Sequence, residues 1–169
     1  SSFETESKDP IGDSMAGNWK MAKAFFEHRR KRSGILTSPL AESGGFWRTR
    51  PDLPAPDVQY HFVPAMLEDH GREKVKGHGF SLHACVLRPE SRGTVRLASA
   101  DPAAVPRIDP NFLAERDDVE RLVRGFKLMR RIMQQPALAQ HGAVEFPAVA
   151  AAQSDEQIEQ FIRNHADTV

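Results

Sequence analysis

Residues 79–87, GFSLHACVL, set Phe80, Leu82, Ala84 and Val86 against Ser81, His83, Cys85 and Leu87. In an extended chain successive side chains leave by opposite faces, so this alternation makes one apolar face and one mixed face. Residues 56–66, PDVQYHFVPAM, repeat the pattern, with Val58, Tyr60 and Phe62 on one side and Gln59, His61 and Val63 on the other. Two half-buried strands of this kind predict an antiparallel sheet covered on one face. Between them EDHGREKVKGHG is polar, bears glycines and is too long for a tight hairpin, which predicts a mobile excursion.

Toward the C-terminus, GTVRLAS supplies a third strand. LRPESRG is then the turn that joins two strands, Pro89 ending the first and Gly93 easing entry into the next. The period then changes from two to that of a helix. Asp117 followed by Glu120 resembles a capping box, and Val119, Leu122, Phe126, Met129 and Met133 trace one stripe until Pro136 ends it. A second helix starts at Ser154, with Gln157 as capping partner, and buries Ile158, Phe161 and Ile162; the alanine-rich AVEFPAVAAAQ connects the two. Toward the N-terminus, Met15, Trp19, Ala22 and Phe26 recur at helical spacing, with Asp13 or Ser14 placed to cap and Gly34 to stop. The last turn of that amphipathic helix carries HRRKR, residues 28–32, opposing the negative end of the helix dipole. Residues 1–12 carry few apolar groups and read as an extended lead-in. Helix, antiparallel strands and then helices give an α+β class, a largely antiparallel sheet flanked by helices. One core fits a chain of 169 residues with 40% hydrophobic content.

Charge excludes several functions. Lys plus Arg and Asp plus Glu both number 23, so no global field draws in nucleic acid or an anionic membrane. No apolar run approaches a membrane span, and SSFETESKDP is too polar for an export signal. The lone Cys85 excludes an internal disulfide and suits a reducing compartment, so the expected location is the cytoplasm. HRRKR leaves one local exception, a phosphate or acidic lipid surface and hence attachment to the periphery of the inner membrane, against the ordinary reading of a solvated helix end.

Candidate chemistry is sparse. No glycine-rich loop follows a predicted strand, so these residues carry no dinucleotide cradle. His70, His78 and His83 fit no helical ligand pair and lack a flanking acid or second cysteine, which makes them surface or strand histidines rather than a metal site. Ser91 lacks a GxSxG elbow, and Cys85 sits in a strand rather than at a helix N-terminus. In SPLAESGGFWRTR, Glu42 lies beside Phe46 and Trp47, a combination able to hold a quaternary ammonium through charge and aromatic faces. The alternative is a glutamate that accepts backbone hydrogen bonds at a strand entry.

LRPESRGTVRLASADP, then PRIDPNFL, RLVRGFKLMRRIMQQPAL and SDEQIEQFIRNHADTV, in this order and spacing, closely resemble the glucose-methanol-choline (GMC) oxidoreductases, in the branch of the choline and alcohol dehydrogenases. The likeness runs from about Gly34 onward. It implies the substrate-binding domain of a flavoenzyme, a sheet of about six strands flanked by helices and packed over a separate FAD domain. It further implies that residues 1–14 are a lead-in cut from that upstream FAD domain and that residues 15–169 are the substrate-binding domain. Family members carry a GxGxxG fingerprint near their N-terminus and a catalytic histidine just beyond the equivalent of HADTV, so the chain is expected to be an internal piece, inactive alone.

For the parent, the resemblance implies oxidation of a primary alcohol, aliphatic or choline, with hydride passing to FAD while a histidine takes the hydroxyl proton. No catalytic, FAD-binding or metal residue is expected in this chain. Glu42, Phe46 and Arg88 are the expected substrate contacts: Glu42 falls where choline-oxidising relatives contact the trimethylammonium head, and Arg88 stands where they have a second contact, a histidine. Arg92, Gly93 and Asp101 are expected to be frame, the arginine being available for a buried carboxylate. The expected partners are a small alcohol and the FAD domain, not nucleic acid. The rival reading is a stand-alone, non-catalytic ligand-binding or interaction module that docks through HRRKR.

Overall fold

The computed structural model describes residues 2–5, 12–41, 43–66 and 76–167. In chain order the elements are β1 (Ser2–Thr5), β2 (Gly12–Asp13), α1 (Met15–Lys31), a 3-10 turn (Ile35–Thr37), β3 (Ser43–Trp47), β4 (Val58–Val63), β5 (Gly77–Val86), β6 (Thr94–Arg96), β7 (Arg107–Asp109), α2 (Arg116–Met133), α3 (Pro136–Ala139), β8 (Val144–Glu145), α4 (Pro147–Ala150) and α5 (Asp155–His165). The α+β layout with an antiparallel sheet read from the sequence is the one observed.

The alternating segments pair with each other. β4 and β5 run antiparallel with Val58 opposite Val86 and Phe62 opposite Leu82, so the two apolar sets share one face. β3 adds to β4's free edge, and the sheet order is β3-β4-β5-β1-β8, with β2 against the first residues of β5. Of the expected mobile excursion EDHGREKVKGHG, residues 68–75 lie outside the described residues, and residues 77–79 are not part of a loop but open strand β5.

The apolar face is covered by α2 and α5. Val119, Val123, Phe126, Met129 and Met133 of α2 join Val58, Tyr60, Phe80 and Leu82 of the sheet in one core, to which α5 contributes Ile158 and Ile162. Phe3 and Phe80 stack at 6.1 Å and Phe126 meets Phe161 at 5.7 Å. Side chains of this size each stabilise the fold by about 1.5–3 kcal/mol when fully buried. α2 crosses the sheet at Gly125, where the Tyr60 hydroxyl donates to the Gly125 carbonyl at 3.1 Å. Burial pushes the Tyr60 hydroxyl up to about 12, helped by the neighbouring Asp57 charge. The capping box at Ser154 and Gln157 forms as expected.

Five further expectations are corrected. Ser2–Thr5 is not a loose lead-in but a sheet strand, paired on one side with β5 and on the other with β8, and it puts Phe3 in the core. β6 does not join the main sheet; it pairs with β7 in a separate two-stranded ribbon, where Gly93 lets the Asp109 and Pro110 backbone come close. α1 forms, capped by Ser14, but Met15, Trp19 and Phe26 face away from the core, while Gly17 and Ala24 are buried. The Asp117–Glu120 capping box is absent: Glu115 is the N-cap, Asp117 pairs with Arg121, and Glu120 pairs with Arg116 at 3.2 Å. Finally, Arg92 meets no carboxylate among the described residues and instead donates to the Pro89 and Ser91 carbonyls at 2.7 and 2.9 Å.

Candidate functional site on the open sheet face

Among the described residues the helices cover one face of the sheet, and the strand period places Gln59, His61, His83 and Cys85 on the other. The registers align them in two rows across three strands. Phe46 lies opposite Gln59, which lies opposite Cys85; Gly44 lies opposite His61, which lies opposite His83. Phe46 is 61% exposed, and Gln59, His61, His83 and Cys85 are half-buried. The rows contain no carboxylate, ammonium or guanidinium. They offer an amide, two imidazoles, a thiol and an aromatic ring, which suits a small neutral ligand with one hydroxyl and an apolar body. Burial raises the Cys85 thiol above its usual value, which keeps it protonated and unreactive.

Close packing shapes both ends of this face. A Cβ on Gly44 would come within 2.2 Å of the Tyr60 carbonyl oxygen, so only glycine fits there. At the other end Ala65 and Met66 fold over the sheet. Ser81 donates to the Ala65 carbonyl at 2.9 Å and meets the Ser2 hydroxyl at 3.0 Å. That end is closed, and the rows beside β3 are open.

Of the expected substrate contacts, Phe46 lies on this open face. Glu42 lies outside the described residues. Arg88 is exposed just past the end of β5; its guanidinium donates to the Pro56 carbonyl, and its own carbonyl accepts from Arg121 at 3.0 Å. Of the three histidines weighed as ligands, His70 lies outside the described residues, and His78 and His83 point to opposite faces of β5. His78 meets the Ser14 hydroxyl at 2.8 Å. Among the described residues no group of three or more His, Cys, Asp or Glu is placed to hold a metal ion.

What the sequence reading missed is the device that holds the Arg88 turn. Asp118, on the first turn of α2 and 1% exposed, accepts from the Glu90 and Ser91 backbone amides at 2.9 and 2.8 Å and from the Ser91 hydroxyl at 2.6 Å. Burial pushes its carboxyl up, but these donors and the Arg121 charge outweigh burial and hold it below its usual value. The signal was present as PES beside a helix that begins DDV, but two segments 27 residues apart become one cluster only when α2 docks.

Dinucleotide binding would need a loop of free backbone amides at a helix N-terminus. Three of the described glycines serve another purpose: added Cβ atoms at Gly44, Gly79 and Gly93 would meet the carbonyl oxygens of Tyr60, Phe3 and Asp109 at 2.1–2.2 Å. These residues do not fit a flavin cradle.

Residues 89–169 match the family model described as GMC oxidoreductase. The chain is 40% identical over 163 residues to an alcohol dehydrogenase [acceptor] of Pseudomonas putida, covering 96% of this chain and 30% of the relative. It is 43% identical over 136 residues to an oxygen-dependent choline dehydrogenase of Pseudomonas fluorescens, covering 80% of this chain and 24% of the relative. The chain therefore spans less than a third of the length of these curated relatives. Among solved structures, formate oxidase matches 97% of this chain and 34% of its own with a TM-score of 0.79 at 22% identity. Pyridoxine 4-oxidase from Mesorbium loti matches 97% of this chain and 28% of its own with a TM-score of 0.68 at 20% identity. At these identities the structural likeness concerns the fold.

Proposed function

The chain belongs to the GMC oxidoreductases through residues 89–169, and from that premise we propose that it is the substrate-binding part of an FAD-dependent alcohol dehydrogenase. The parent oxidises a primary alcohol, an aliphatic alcohol or choline, to the aldehyde. The observation that carries this reading is the one-sided sheet, closed by helices on the Tyr60 face and open in two uncharged rows on the Gln59 face.

In this reading the open face is a wall of the alcohol pocket. Phe46 packs on the alkyl part, the Gln59 amide and the two imidazoles orient the hydroxyl, and the covered core behind them keeps the wall rigid. FAD is held by other parts of the parent, since the glycines here do not form its cradle. We place the substrate-binding domain at residues 15–169, with β1 packed into it, and the protein in the cytoplasm. Arg88 borders the pocket from the end of β5, and Glu42, two residues before Gly44 in the chain, receives the cationic head when the alcohol is choline.

Two measurements on the full-length enzyme test this. Gln59→Ala is expected to lower kcat/KM for a primary alcohol about tenfold, with the melting temperature unchanged; full activity in a correctly folded variant would remove the open face from the pocket. Glu42→Gln is expected to cut kcat/KM for choline about tenfold while sparing a neutral alcohol of similar size. An equal small effect on both substrates retires the cation contact.

A further inference from the structure

The sheet ends at β3 with a strand edge that no other described strand pairs. β3 bonds to β4 on one side and stands first in the order β3-β4-β5-β1-β8, so its outer backbone amides and carbonyls face away from the fold. All five of its residues are exposed, and the sequence SGGFW contains no charge and no proline. Edge strands that stay alone in water are shortened, bulged or guarded by lysine or proline, because an open ladder captures another strand. β3 pairs with β4 residue for residue over its whole length and carries none of these guards. Gly45 adds a second observation. It has no positive φ, and a Cβ there would meet nothing within 4 Å, so nothing in the described structure requires glycine at this position. A glycine inside a strand marks the close approach of another backbone.

The sequence of β3 is complementary to itself. In an antiparallel pair with a two-fold axis at Gly45, Phe46 of one copy lies opposite Gly44 of the other and Trp47 lies opposite Ser43. Each aromatic ring then covers a small residue, an arrangement that fixes strand register. A register centred on a residue pairs positions of the same parity, so the outward backbone groups of one copy meet those of the other. Charge agrees. Glu42 and Arg48 stand three residues before and three after Gly45 in the sequence, so the axis sets acid against base rather than like against like. The carboxylate has oxygens enough for this contact and for a cationic alcohol head. A strand from the remainder of the parent would need no such symmetry. We propose that β3 pairs with β3 of a second copy about a two-fold axis at Gly45, joining the two sheets into one and placing the partner's Phe46 at the end of the row Gly44, His61 and His83. Directly opposite residues on adjacent strands share a face, so the partner's ring stands on the open face and adds an apolar wall to the pocket. The pairing is independent of the alcohol-oxidation reading, and only the ring's place in the pocket rests on it.

The test is sedimentation velocity of the full-length protein over a range of concentrations. The unaltered protein is expected to pass from monomer to dimer as concentration rises. Gly45→Lys sets two ammonium groups against each other at the axis, while within its own copy the side chain enters open space. Circular dichroism should therefore be unchanged and association about tenfold or more weaker. Gly45→Glu should weaken association alike, and an equimolar mixture of the two variants should recover it as a heterodimer. KM for a primary alcohol is expected to rise severalfold in either variant alone and to fall back in the mixture, with kcat little changed. Three results overturn the pairing: a monomer at every concentration, which would mean that another part of the parent closes the edge; a dimer indifferent to Gly45→Lys; or a mixture that associates no better than either variant alone. An unchanged KM in the dissociated variants removes the partner's ring from the pocket. An unaltered protein that oxidises no alcohol would fail the alcohol reading, while sedimentation still decides the pairing.

Discussion

At Asp118 one buried carboxylate organises a turn 27 residues away in the chain, receiving two backbone amides and the Ser91 hydroxyl. Asp118→Ala leaves those donors buried and unpaired, so it is expected to lower stability by about 3 kcal/mol in urea denaturation. The pH dependence follows from the depressed carboxyl. Its stabilisation is complete above the unfolded value, about 4, and is lost as pH falls through the lower folded value; the acid limb of the stability curve should flatten in Asp118→Asn. Gly93 is the second residue of this turn that tolerates no change. A Cβ there would lie 2.2 Å from the Asp109 carbonyl oxygen, a backbone atom of the facing strand. Gly93→Ala is therefore expected to cost about 2 kcal/mol by the same measurement. SRG was expected to be frame, and Ser91 and Gly93 are engaged in contacts that hold the turn. That its anchor is an aspartate on α2, and that Arg92 binds carbonyls instead of an acid, was not legible, because both depend on a contact made only by docking.

Among the elements, α2 binds the sheet, the turn and the C-terminal segment together. Its Arg130 donates through Nε to both carboxylate oxygens of Glu145 at 3.0 Å and through its other nitrogens to the Val149 and Ala152 carbonyls at 2.6 and 2.8 Å, so β8 and α4 are secured to it. At the middle of α2, Gly125 leaves a small space: an added Cβ would touch Val58 Cγ1 at 3.4 Å, an ordinary van der Waals contact. Gly125→Ala is expected to raise stability by about 0.5–1 kcal/mol, because alanine loses less backbone freedom than glycine in forming a helix. A fall instead would mean that sheet and helix sit closer than these distances allow. The helix stripes of α2 and α5 were legible because each buries a face set by its own period. The orientation of α1 was not: its stripe has the same period, but a periodic stripe does not say whether core, lipid or solvent meets it.

Across the whole molecule, the division of labour proposed for the parent makes a direct claim about this chain. Produced alone, its 169 residues are expected to be colourless and to oxidise no alcohol; tightly bound flavin absorbance in the purified chain would refute that. The sequence by itself determined the class of the fold, the two faces of its two principal strands and the family, since alternation, helical stripes and turn residues are local properties and the family's motifs are contiguous words. Tertiary structure alone decided the rest. It placed Ser2–Thr5 in the middle of the sheet, sent β6 into a separate ribbon, aligned Phe46, Gln59 and Cys85 in one row and left the α1 stripe uncovered. Each of these depends on which distant segment occupies a strand edge or a face, and a backbone edge or an apolar stripe carries no local mark of the partner it will meet.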